Sequence, residues 1–432
     1  MKRLLLPLGL LAWFVSSARP VAAEAPGPLT LTEARKQVLA AHPRISVAEL
    51  RSLAARQVVI ENRAGFFPFI SANATAVGND GAPNSRIAAG ALNNPSVYER
   101  AAVGASISQL ITDFGRTGNL TDAAKLRAQA AATNVAATRA QLLLEVDGAY
   151  FSALAARAVK AVAAKTFDQR KLLFDQVSTL ASNQLKSELE VRFAQVGLDE
   201  ARLLTSQAEK DWQSAQATLG SLLGQRTPQN FALVEEAAPG NLPEDAEPLV
   251  ALALRLRPEL VRLRLEREAA IASARAERGL HYPTISAFGT AGVAPLHDSH
   301  FDHEYAAAGL NLNVPLFAGG LYEARRKEAE FQSQAAAETL RDAENTLIRD
   351  VRLAWLEAGQ AQERVRLTAS LLDSSNAALD LAQARFNQGL SSIIELNQAE
   401  LNRTSAALSQ ARAEYEYHVR RDLLDFQTGS LH

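Results

Sequence analysis

Proline is distributed very unevenly along this chain, and its absence from two long stretches limits the fold more than any other feature. The chain has 432 residues and 16 prolines, yet residues 96–227 and 316–432 contain none. Proline costs about 3 kcal/mol inside a helix, because it lacks an amide hydrogen and its ring collides with the preceding turn. Both stretches are rich in residues that favour helices, and apolar residues recur in them at helical spacing. The sequence therefore predicts helices of unusual length.

In each proline-free stretch, the run of helix-favouring residues is weakly interrupted once, at residues 182–184 in the first stretch and at residues 387–389 in the second. Nothing between Thr117 and Ala181 strongly breaks a helix, and about 65 residues at 1.5 Å per residue span about 100 Å. Helices of globular proteins are rarely this long. The pattern therefore predicts two long helical hairpins, arranged as a coiled coil or as a helical tube.

The two halves of the chain are related by an internal duplication. Segments 67–72 and 282–287 align with each other, and so do His42-Pro43 and Arg257-Pro258 at the same offset. Farther along the chain a slightly smaller, again constant offset pairs Glu190 with Glu395. A constant offset over two long spans predicts two structural repeats.

Each predicted repeat consists of a helix, two strands and a long helical hairpin. In chain order, the predicted division is a signal peptide (1–23), the first repeat (24–227), a linker (228–248), the second repeat (249–428) and a C-terminal tail (429–432). The strands are predicted at residues 68–77, 101–110, 283–291 and 306–316.

The four predicted strands alternate apolar and small polar residues. In the last strand, Ala308, Leu310 and Leu312 alternate with Asn311 and Asn313. Each strand has about ten residues, which is the length of a tilted transmembrane strand. A half-buried sheet of a soluble protein gives the same alternation and is the alternative. If lipid covers the apolar face, no edge can stay open, so four strands require further copies of the chain, and three copies supply twelve.

The first residues have the pattern of an exported protein. Lys2 and Arg3 precede an apolar run over residues 4–15, and residues 21–23 suit signal peptidase, so cleavage is expected near Ala23. The run is too short to cross about 30 Å of hydrocarbon as an anchor.

Composition excludes several classes of protein. Cysteine is absent, which excludes disulfides, thiolate metal sites and cysteine nucleophiles. The net charge of −2 lacks the basic excess expected of a nucleic-acid binder. Aromatic residues make up only 6%, and alanine is abundant, which favours closely packed helices over a β-sandwich. The motifs GxxxxGK[ST], HExxH and GxSxG do not occur, so neither an enzyme nor a cofactor is predicted.

Several segments resemble the TolC-type outer-membrane efflux protein family, the outer membrane factors, and the resemblance covers essentially the whole chain after the signal peptide. Residues 29–43 resemble the family's opening helix, and Thr30 and Glu33 fit a capping box there. The most specific match is Gly-Leu-Asn-Leu-Asn-Val-Pro-Leu-Phe-Ala-Gly-Gly at 309–320, which resembles the family's strand-to-helix junction. Residues 385–396, with their counterpart 187–191, resemble its periplasmic tip turn.

The resemblance implies a mainly α-helical homotrimer with a membrane β-barrel. Each chain would supply four of twelve strands, and the long hairpins would form a periplasmic α-barrel tunnel about 100 Å long. The implied function is a passive exit duct in the bacterial outer membrane. Its implied partners are outer-membrane lipid, a periplasmic adaptor (membrane fusion) protein and an inner-membrane transporter, in tripartite efflux or type I secretion. Drugs, metal ions and polypeptides are all compatible cargo for such a duct.

The resemblance also indicates where the tunnel would close. It places Glu190 and Glu395 at the periplasmic entrance, with Phe386 packing nearby. Three-fold symmetry would arrange each acid in a ring, and clustered carboxylates repel, which raises their pKa values and favours cations or salt bridges. The family often has a second acid three residues later, but here that residue is Gln398. A solvated helix face is the alternative role for either glutamate.

The two tip turns are the predicted docking site for the helical hairpin of an adaptor. The residues assigned to this site are Asn183, Gln184, Leu185, Gly389, Leu390 and Ser391. Glycine permits the tight turn, and a plain helix cap is the alternative role for Gly389.

The loop between the last two strands is rich in histidine. His297, His300 and His303 lie there among acidic residues, and imidazoles with carboxylates could bind Zn²⁺, Ni²⁺ or Cu²⁺. A polar solvated loop is the alternative, and no metal site is predicted.

Three other classes of protein fit part of the pattern. A structural coiled-coil protein of the periplasm would explain the helices but not the four alternating strands. A periplasmic adaptor also has long hairpins, but usually one hairpin flanked by lipoyl-like β domains, and here the hairpin occurs twice. An enzyme with a metal site in the histidine-rich loop is the third alternative.

Overall fold

The computed structural model describes residues 28–77, 100–227, 229–296 and 302–431, and the predicted signal peptide lies outside them. The helices are α1 (Leu31–Ala41), α2 (Pro43–Ala64), α3 (Arg116–Ser182), α4 (Glu188–Leu222), α5 (Glu247–Leu256), α6 (Pro258–Arg278), α7 (Leu321–Asn387) and α8 (Ile393–Thr428). The strands are β1 (Phe69–Val77), β2 (Arg100–Thr112), β3 (Thr284–Leu296) and β4 (Glu304–Asn313). Among the described residues, no helix contains a stretch of uncharged, apolar residues that is long enough to span a membrane.

The two long helices dominate the molecule. Helices α3 and α7 each have 67 residues, which agrees with the length expected from the sequence, and each spans about 100 Å at 1.5 Å per residue. Helix α4 packs back along α3, and α8 packs back along α7. The two ends of α7 correspond to the two ends of α3 at the same offset that pairs Glu190 with Glu395.

A shorter helical segment precedes each pair of strands, and each segment is divided at a proline. Pro43 begins α2 and Pro258 begins α6. Proline suits the first position of a helix, because the amide there has no partner within the helix. At the start of α1, the Glu33 amide donates to Thr30 Oγ1 at 3.2 Å, and the Thr30 amide donates to the Glu33 carboxylate at 3.0 Å. The predicted capping box is confirmed.

The four strands form one antiparallel sheet in the order β1-β2-β3-β4. The register of the strands places the apolar residues on the same face of the sheet, where Ala72 pairs with Ala105 and Ala287 pairs with Leu310. Within the described residues, the outer edges of β1 and β4 have no partner strand. The β3–β4 hairpin is longer than predicted, and β4 ends two residues before Pro315, because proline has no amide to donate to a neighbouring strand.

The largest hydrophobic cluster surrounds the fully buried Tyr150 of α3. Its hydroxyl lies 2.8 Å from the carbonyl oxygen of Leu29 and 2.7 Å from that of Val234. The first of these residues precedes α1, and the second belongs to the linker between the hairpins. Helix α3 thereby holds the linker and the N-terminal segment together.

Helix α8 holds the same linker from the second hairpin. The Tyr415 hydroxyl donates to the Glu235 carboxylate at 2.8 Å, and the Tyr417 hydroxyl donates to the Gly240 carbonyl oxygen at 3.0 Å. We call the contacts that these three tyrosines make with the linker the linker clasp. Both hairpins therefore contribute to one buried region at the middle of the molecule.

Candidate functional site at the hairpin tips

The turn between α3 and α4 has the hydrogen bonds of a Schellman motif. Gln184 adopts a left-handed conformation with φ of 61°, and its amide donates to the Ala181 carbonyl at 2.9 Å. The Leu185 amide donates to the Leu180 carbonyl at 2.9 Å. These two bonds satisfy carbonyl groups that would otherwise be free at the end of a helix. They also leave the Leu185 side chain pointing into solvent, 69% exposed.

The turn between α7 and α8 repeats this backbone geometry with a different residue. Gly389 has φ of 74°, and its amide donates to the Phe386 carbonyl at 3.0 Å. The Leu390 amide donates to the Arg385 carbonyl at 2.8 Å, and the Leu390 side chain is 66% exposed. Glycine adopts this conformation without the steric penalty that a side chain brings. The predicted tip residues therefore do form the two turns, and each turn presents one exposed leucine.

Each returning helix begins at a serine. The Ser187 hydroxyl accepts from the Glu190 amide at 3.3 Å, and the Ser392 hydroxyl accepts from the Glu395 amide at 3.3 Å. Serine is favoured at this position because its side chain satisfies a free amide of the first turn. Both predicted gate acids therefore lie at the third position of their helices.

The carboxylate of Glu190 is bound within its own turn. It accepts from the Ser187 amide at 2.8 Å, which completes a capping box, and it pairs with Lys186 Nζ at 2.8 Å. Burial acts to raise the pKa of Glu190, but the hydrogen bonds from Lys186 and Ser187 prevail, and the pKa is lowered. Within one subunit, this direction is opposite to the rise that a ring of repelling acids would cause.

The carboxylate of Glu395 is held far less tightly. Its Oε1 lies 3.7 Å from Arg385 Nε, and the side chain is 48% exposed. It accepts no hydrogen bond from any residue that the structure describes. Of the two predicted gate acids, Glu395 therefore has the more exposed carboxylate, and its ion pair with Arg385 is longer than that of Glu190 with Lys186.

Phe386 lies in a buried cluster between the two hairpins. The ring is 7% exposed, and Lys186 Nζ lies 4.3 Å from its centroid. A cation over a ring face is attracted by the negative charge of that face. The other buried members of the cluster are Leu173, Val177, Ala194, Leu379, Ala382, Ile393 and Leu396. Phe386 therefore joins the two hairpin tips, and Lys186, which contacts its ring, is the residue that connects it to Glu190.

Lys186 also belongs to this site, although it is not among the residues predicted from the sequence. This lysine contacts both Glu190 and Phe386, and so connects the two turns. Its position one helical turn before Glu190 could have indicated the ion pair. Its contact with Phe386, which belongs to the other half of the chain, has no local signal.

The predicted weak metal candidates lie mostly outside the described residues. His297 and His300 are not among them, whereas His303 precedes β4 and its carbonyl accepts from the Ala294 amide at 2.7 Å. Among the residues that the structure does describe, no group of three or more His, Asp or Glu is placed to hold a metal ion.

Relatives of this chain include two proteins named as outer membrane proteins and one named as a metal resistance protein. The chain is 25% identical over 423 residues to outer membrane protein TolC of Vibrio cholerae, which covers 94% of this chain and 92% of the relative. It is 28% identical over 331 residues to outer membrane protein OprJ of Pseudomonas aeruginosa, covering 74% of this chain and 67% of the relative. It is 26% identical over 442 residues to the cobalt-zinc-cadmium resistance protein CzcC of Cupriavidus metallidurans. This alignment covers 96% of this chain and 95% of the relative.

Solved structures show the same fold. The outer membrane protein VceC of Vibrio cholerae superposes with a TM-score of 0.81 at 19% identity, covering 92% of this chain and 96% of VceC. The outer-membrane channel OprN superposes with a TM-score of 0.80 at 22% identity, covering 93% of this chain and 90% of OprN. The family model described as outer membrane efflux protein matches residues 34–225 and 249–430. These two matches take in both hairpins and all four strands, and the chain therefore belongs to the outer membrane efflux protein family.

Proposed function

We propose that this chain forms, as a homotrimer, the outer-membrane exit duct of a tripartite efflux or type I secretion system. The family consists of outer-membrane channel proteins, so the chain is not an enzyme. The observation that carries the proposal is a four-stranded sheet that has one apolar face and, among the described residues, no partner strand at either outer edge. This sheet leads directly into helices of 67 residues. Cargo would travel along the tunnel that the helices form and then leave through the barrel that the sheets form.

The sheet supports a trimer because it cannot remain open in lipid. The apolar face is uncovered in one subunit, and Ile70, Leu310 and Leu312 are each more than 60% exposed there. Lipid can cover such a face but cannot satisfy the free amides and carbonyls of β1 and β4. Pairing β4 of one subunit with β1 of the next removes both edges, and three subunits give a closed barrel of twelve strands.

The helices support a tunnel for a similar reason. Leu189, Val196 and Leu203 follow one another at heptad spacing on α4, and each is more than half exposed in the single subunit. A heptad repeat of apolar residues is the pattern of a helix that packs along another helix. We assign this stripe to contact with the neighbouring subunit, which would close the hairpins into a tube.

At the tunnel entrance, we assign the ring of acids to Glu395. Its carboxylate is exposed and free of hydrogen bonds within the described chain, whereas the carboxylate of Glu190 is occupied by Ser187 and Lys186. Three copies of Glu395 around a narrow entrance would favour cations. Phe386 would support this ring from inside the subunit, because it fixes the second tip against the first.

We assign adaptor docking to the two turns. Leu185 and Leu390 are exposed at equivalent positions, and an open cavity of about 840 Å³ lies between the turns. The residues that line it include Leu180, Leu185, Lys186, Phe386, Asn387 and Gly389. Apolar side chains beside an open cavity suit the end of a helical hairpin from a periplasmic adaptor.

The test is the mass and conductance of the detergent-extracted protein. We expect a trimer by mass and small, cation-selective currents in planar bilayers. Leu310→Asp should lower the yield of inserted protein, because it places a charge on the lipid face, whereas Asn311→Asp on the opposite face should insert normally. A monomer that stays in solution without detergent and carries no current would overturn the proposal, as would equal tolerance of the two substitutions.

A further inference from the structure

A cluster of charged side chains fastens α1 to both hairpins, one helical turn away from Tyr150. Arg35 of α1 donates to Asp147 of α3 from Nε and from Nη2, each at 2.7 Å, and the Asp147 side chain is completely buried. The same Nη2 lies 3.9 Å from Oδ1 of Asp422 on α8. Three helices therefore meet at one guanidinium. We call Arg35, Asp147 and Asp422 the α1 latch.

The two aspartates of the latch are bound very unequally. The distance of 3.9 Å between Arg35 and Asp422 is too long for a hydrogen bond. Oδ2 of Asp422 is buried and accepts no hydrogen bond from the residues that the structure describes. A buried carboxylate without hydrogen bonds is costly when it is ionised, and a bound proton removes that charge.

The charged groups around Asp422 favour its protonated form. Burial raises the pKa of Asp422 to about 7, and repulsion by Asp147 adds to this rise. Asp425, one turn later on α8, also raises it, whereas Arg35 and Arg421 act in the opposite direction. Arg421 Nε lies 3.5 Å from the carboxylate of Asp425, so this arginine is already paired with another acid.

The remaining titratable groups on this side of the molecule add no positive charge. His418 lies one turn before Asp422 on α8, and its ring stacks on Phe151 with 4.4 Å between the centroids. Burial lowers the pKa of His418, so it is mostly uncharged at neutral pH. The linker contributes Glu236, a second negative charge that acts on Arg35.

Helix α1 is the element of the latch that can move most easily. It has 11 residues, and its buried side chains are Ala34 and Val38. By contrast, α3 and α8 have 67 and 36 residues and pack along other helices for much of their length. Elements with few buried contacts open at a lower free energy than the rest of a fold. A change of charge in the latch therefore acts first on α1.

The second repeat provides an internal comparison, because its helix α5 corresponds to α1. The duplication places Val250, Arg352 and Ala217 at the positions of Arg35, Asp147 and Asp422. Arg352 pairs with Glu247 of α5 at 2.6 Å, and both side chains are more than half exposed. Helix α5 therefore lacks the buried aspartates of the latch.

We propose that the α1 latch is a proton-operated switch: α1 stays bound to the hairpins while Asp422 carries a proton, and loss of this proton releases it. Once Asp422 is ionised, two buried carboxylates compete for one guanidinium, and water reaches the second carboxylate only when α1 moves away. The switch lies within one subunit and goes beyond the proposed duct, so it stands or fails separately from the trimer.

The direction of the pH dependence follows from the state that holds the proton. Asp422 keeps its proton up to about pH 7 while α1 is bound, but its carboxyl meets water after release and then ionises at its ordinary pKa of 3.8. Release therefore gives up a proton and is favoured by higher pH. The ratio of released to bound α1 should rise by up to about tenfold per pH unit between about pH 4 and pH 7, and should stay level above.

The test follows α1 with a nitroxide label on the full chain in detergent. Because the chain has no cysteine, Gln37→Cys places a single label on the exposed side of α1, and Leu252→Cys places one at the equivalent position of α5. The mobile component of the spectrum should increase between about pH 5 and about pH 8 at Gln37→Cys and stay constant at Leu252→Cys. Spectra of Gln37→Cys that do not change, or that change equally at both positions, would overturn the inference.

Two further variants identify the acid that is responsible. Asp422→Asn keeps the size of the side chain but cannot ionise, so α1 should stay bound at about pH 8 and the pH response should vanish. Asp425→Asn removes a neighbouring acid of the same helix and should leave the response in place. A response that persists in Asp422→Asn, or that disappears only in Asp425→Asn, would contradict the role of Asp422.

Infrared difference spectra detect the proton itself. A protonated carboxyl group has its own carbonyl band, and this band should be lost between about pH 6 and about pH 8 in the unmodified chain and be missing from the difference spectrum of Asp422→Asn. The same difference spectrum in both proteins would overturn the assignment of the proton to Asp422. Failure to form trimers or to carry current would instead overturn the proposed duct.

Discussion

The two hairpin tips have nearly the same backbone and very different side-chain contacts. Both end in a Schellman turn, expose a leucine and start the returning helix at a serine. In the first tip, Glu190 is bound to Ser187 and Lys186, whereas in the second tip Glu395 is exposed. Local rules of turn formation explain the shared backbone. The side chains of the first tip are therefore more tightly bound to one another than those of the second, and the proposed pore role of Glu395 depends on this difference.

The largest expected effect comes from the aromatic residue that only the second tip has, since the duplication pairs Phe386 with Ala181. Phe386→Ala should lower the free energy of unfolding by about 3 kcal/mol, because it empties a buried site between the hairpins. Thermal unfolding in detergent, followed by circular dichroism, measures the loss. Leu390→Ala is the control and should change little, since Leu390 is exposed. Equal effects of the two substitutions would contradict the packing role.

Substitutions of the left-handed residues in the two turns should change the stability of the protein in opposite directions. Gly389→Ala should destabilise the protein by about 1–2 kcal/mol, because a side chain is strained in this conformation. Gln184→Gly should stabilise it by about 0.5 kcal/mol, since relief of strain exceeds the added freedom of the unfolded chain. The same unfolding measurement checks both. A loss of stability in Gln184→Gly would show that its side chain, and not its backbone, supports the first tip.

Substitution of one glutamate should change the stability of the protein, and substitution of the other should change its conduction of ions. Glu190→Gln should lower the free energy of unfolding by about 0.5–1 kcal/mol, through loss of the capping box and of the pair with Lys186. Glu395→Gln should leave stability unchanged and lower the cation-to-anion permeability ratio by about twofold, through loss of the acidic ring. Unfolding and reversal potentials in bilayers measure the two effects. An altered permeability ratio in Glu190→Gln alone would reverse the assignment.

The smallest expected effect is that the mobility of the first tip, and not of the second, depends on pH. The pKa of Glu190 is lowered in the folded protein, so its carboxylate stabilises the turn above its ordinary value of 4.5, and this contribution disappears as pH falls through the lowered value. A nitroxide label at Leu185→Cys should therefore become more mobile below about pH 4.5, whereas one at Leu390→Cys should not. The Glu190→Gln background should remove the change at Leu185→Cys.

The main elements of this fold could be predicted because they depend on local features of the sequence. The absence of proline predicted α3 and α7 to within a few residues, and alternation predicted the two faces of the sheet. The capping box of Thr30 and Glu33 depends on residues within a single turn. Such features follow from the conformational preferences of a single segment, without knowledge of its neighbours.

The contacts that distinguish the two tips could not be predicted in the same way. Lys186 and Phe386 lie in different halves of the chain, and no local pattern indicates that the lysine contacts this ring. The repeat also suggested equal roles for Glu190 and Glu395. The lysine before Ser187 alters the first tip, because Ser391 stands at the equivalent position of the second.

The linker clasp has a consequence for the order in which a subunit matures during export. The two helices of each hairpin follow one another in the chain, so the contacts between them can form early. The clasp needs Tyr150 from the first hairpin together with Tyr415 and Tyr417 from the last helix. Its closure must therefore wait until nearly the whole chain has crossed the inner membrane. An interrupted chain would lack the contacts of Tyr415 and Tyr417 with the linker, and this would distinguish incomplete subunits from finished ones before assembly.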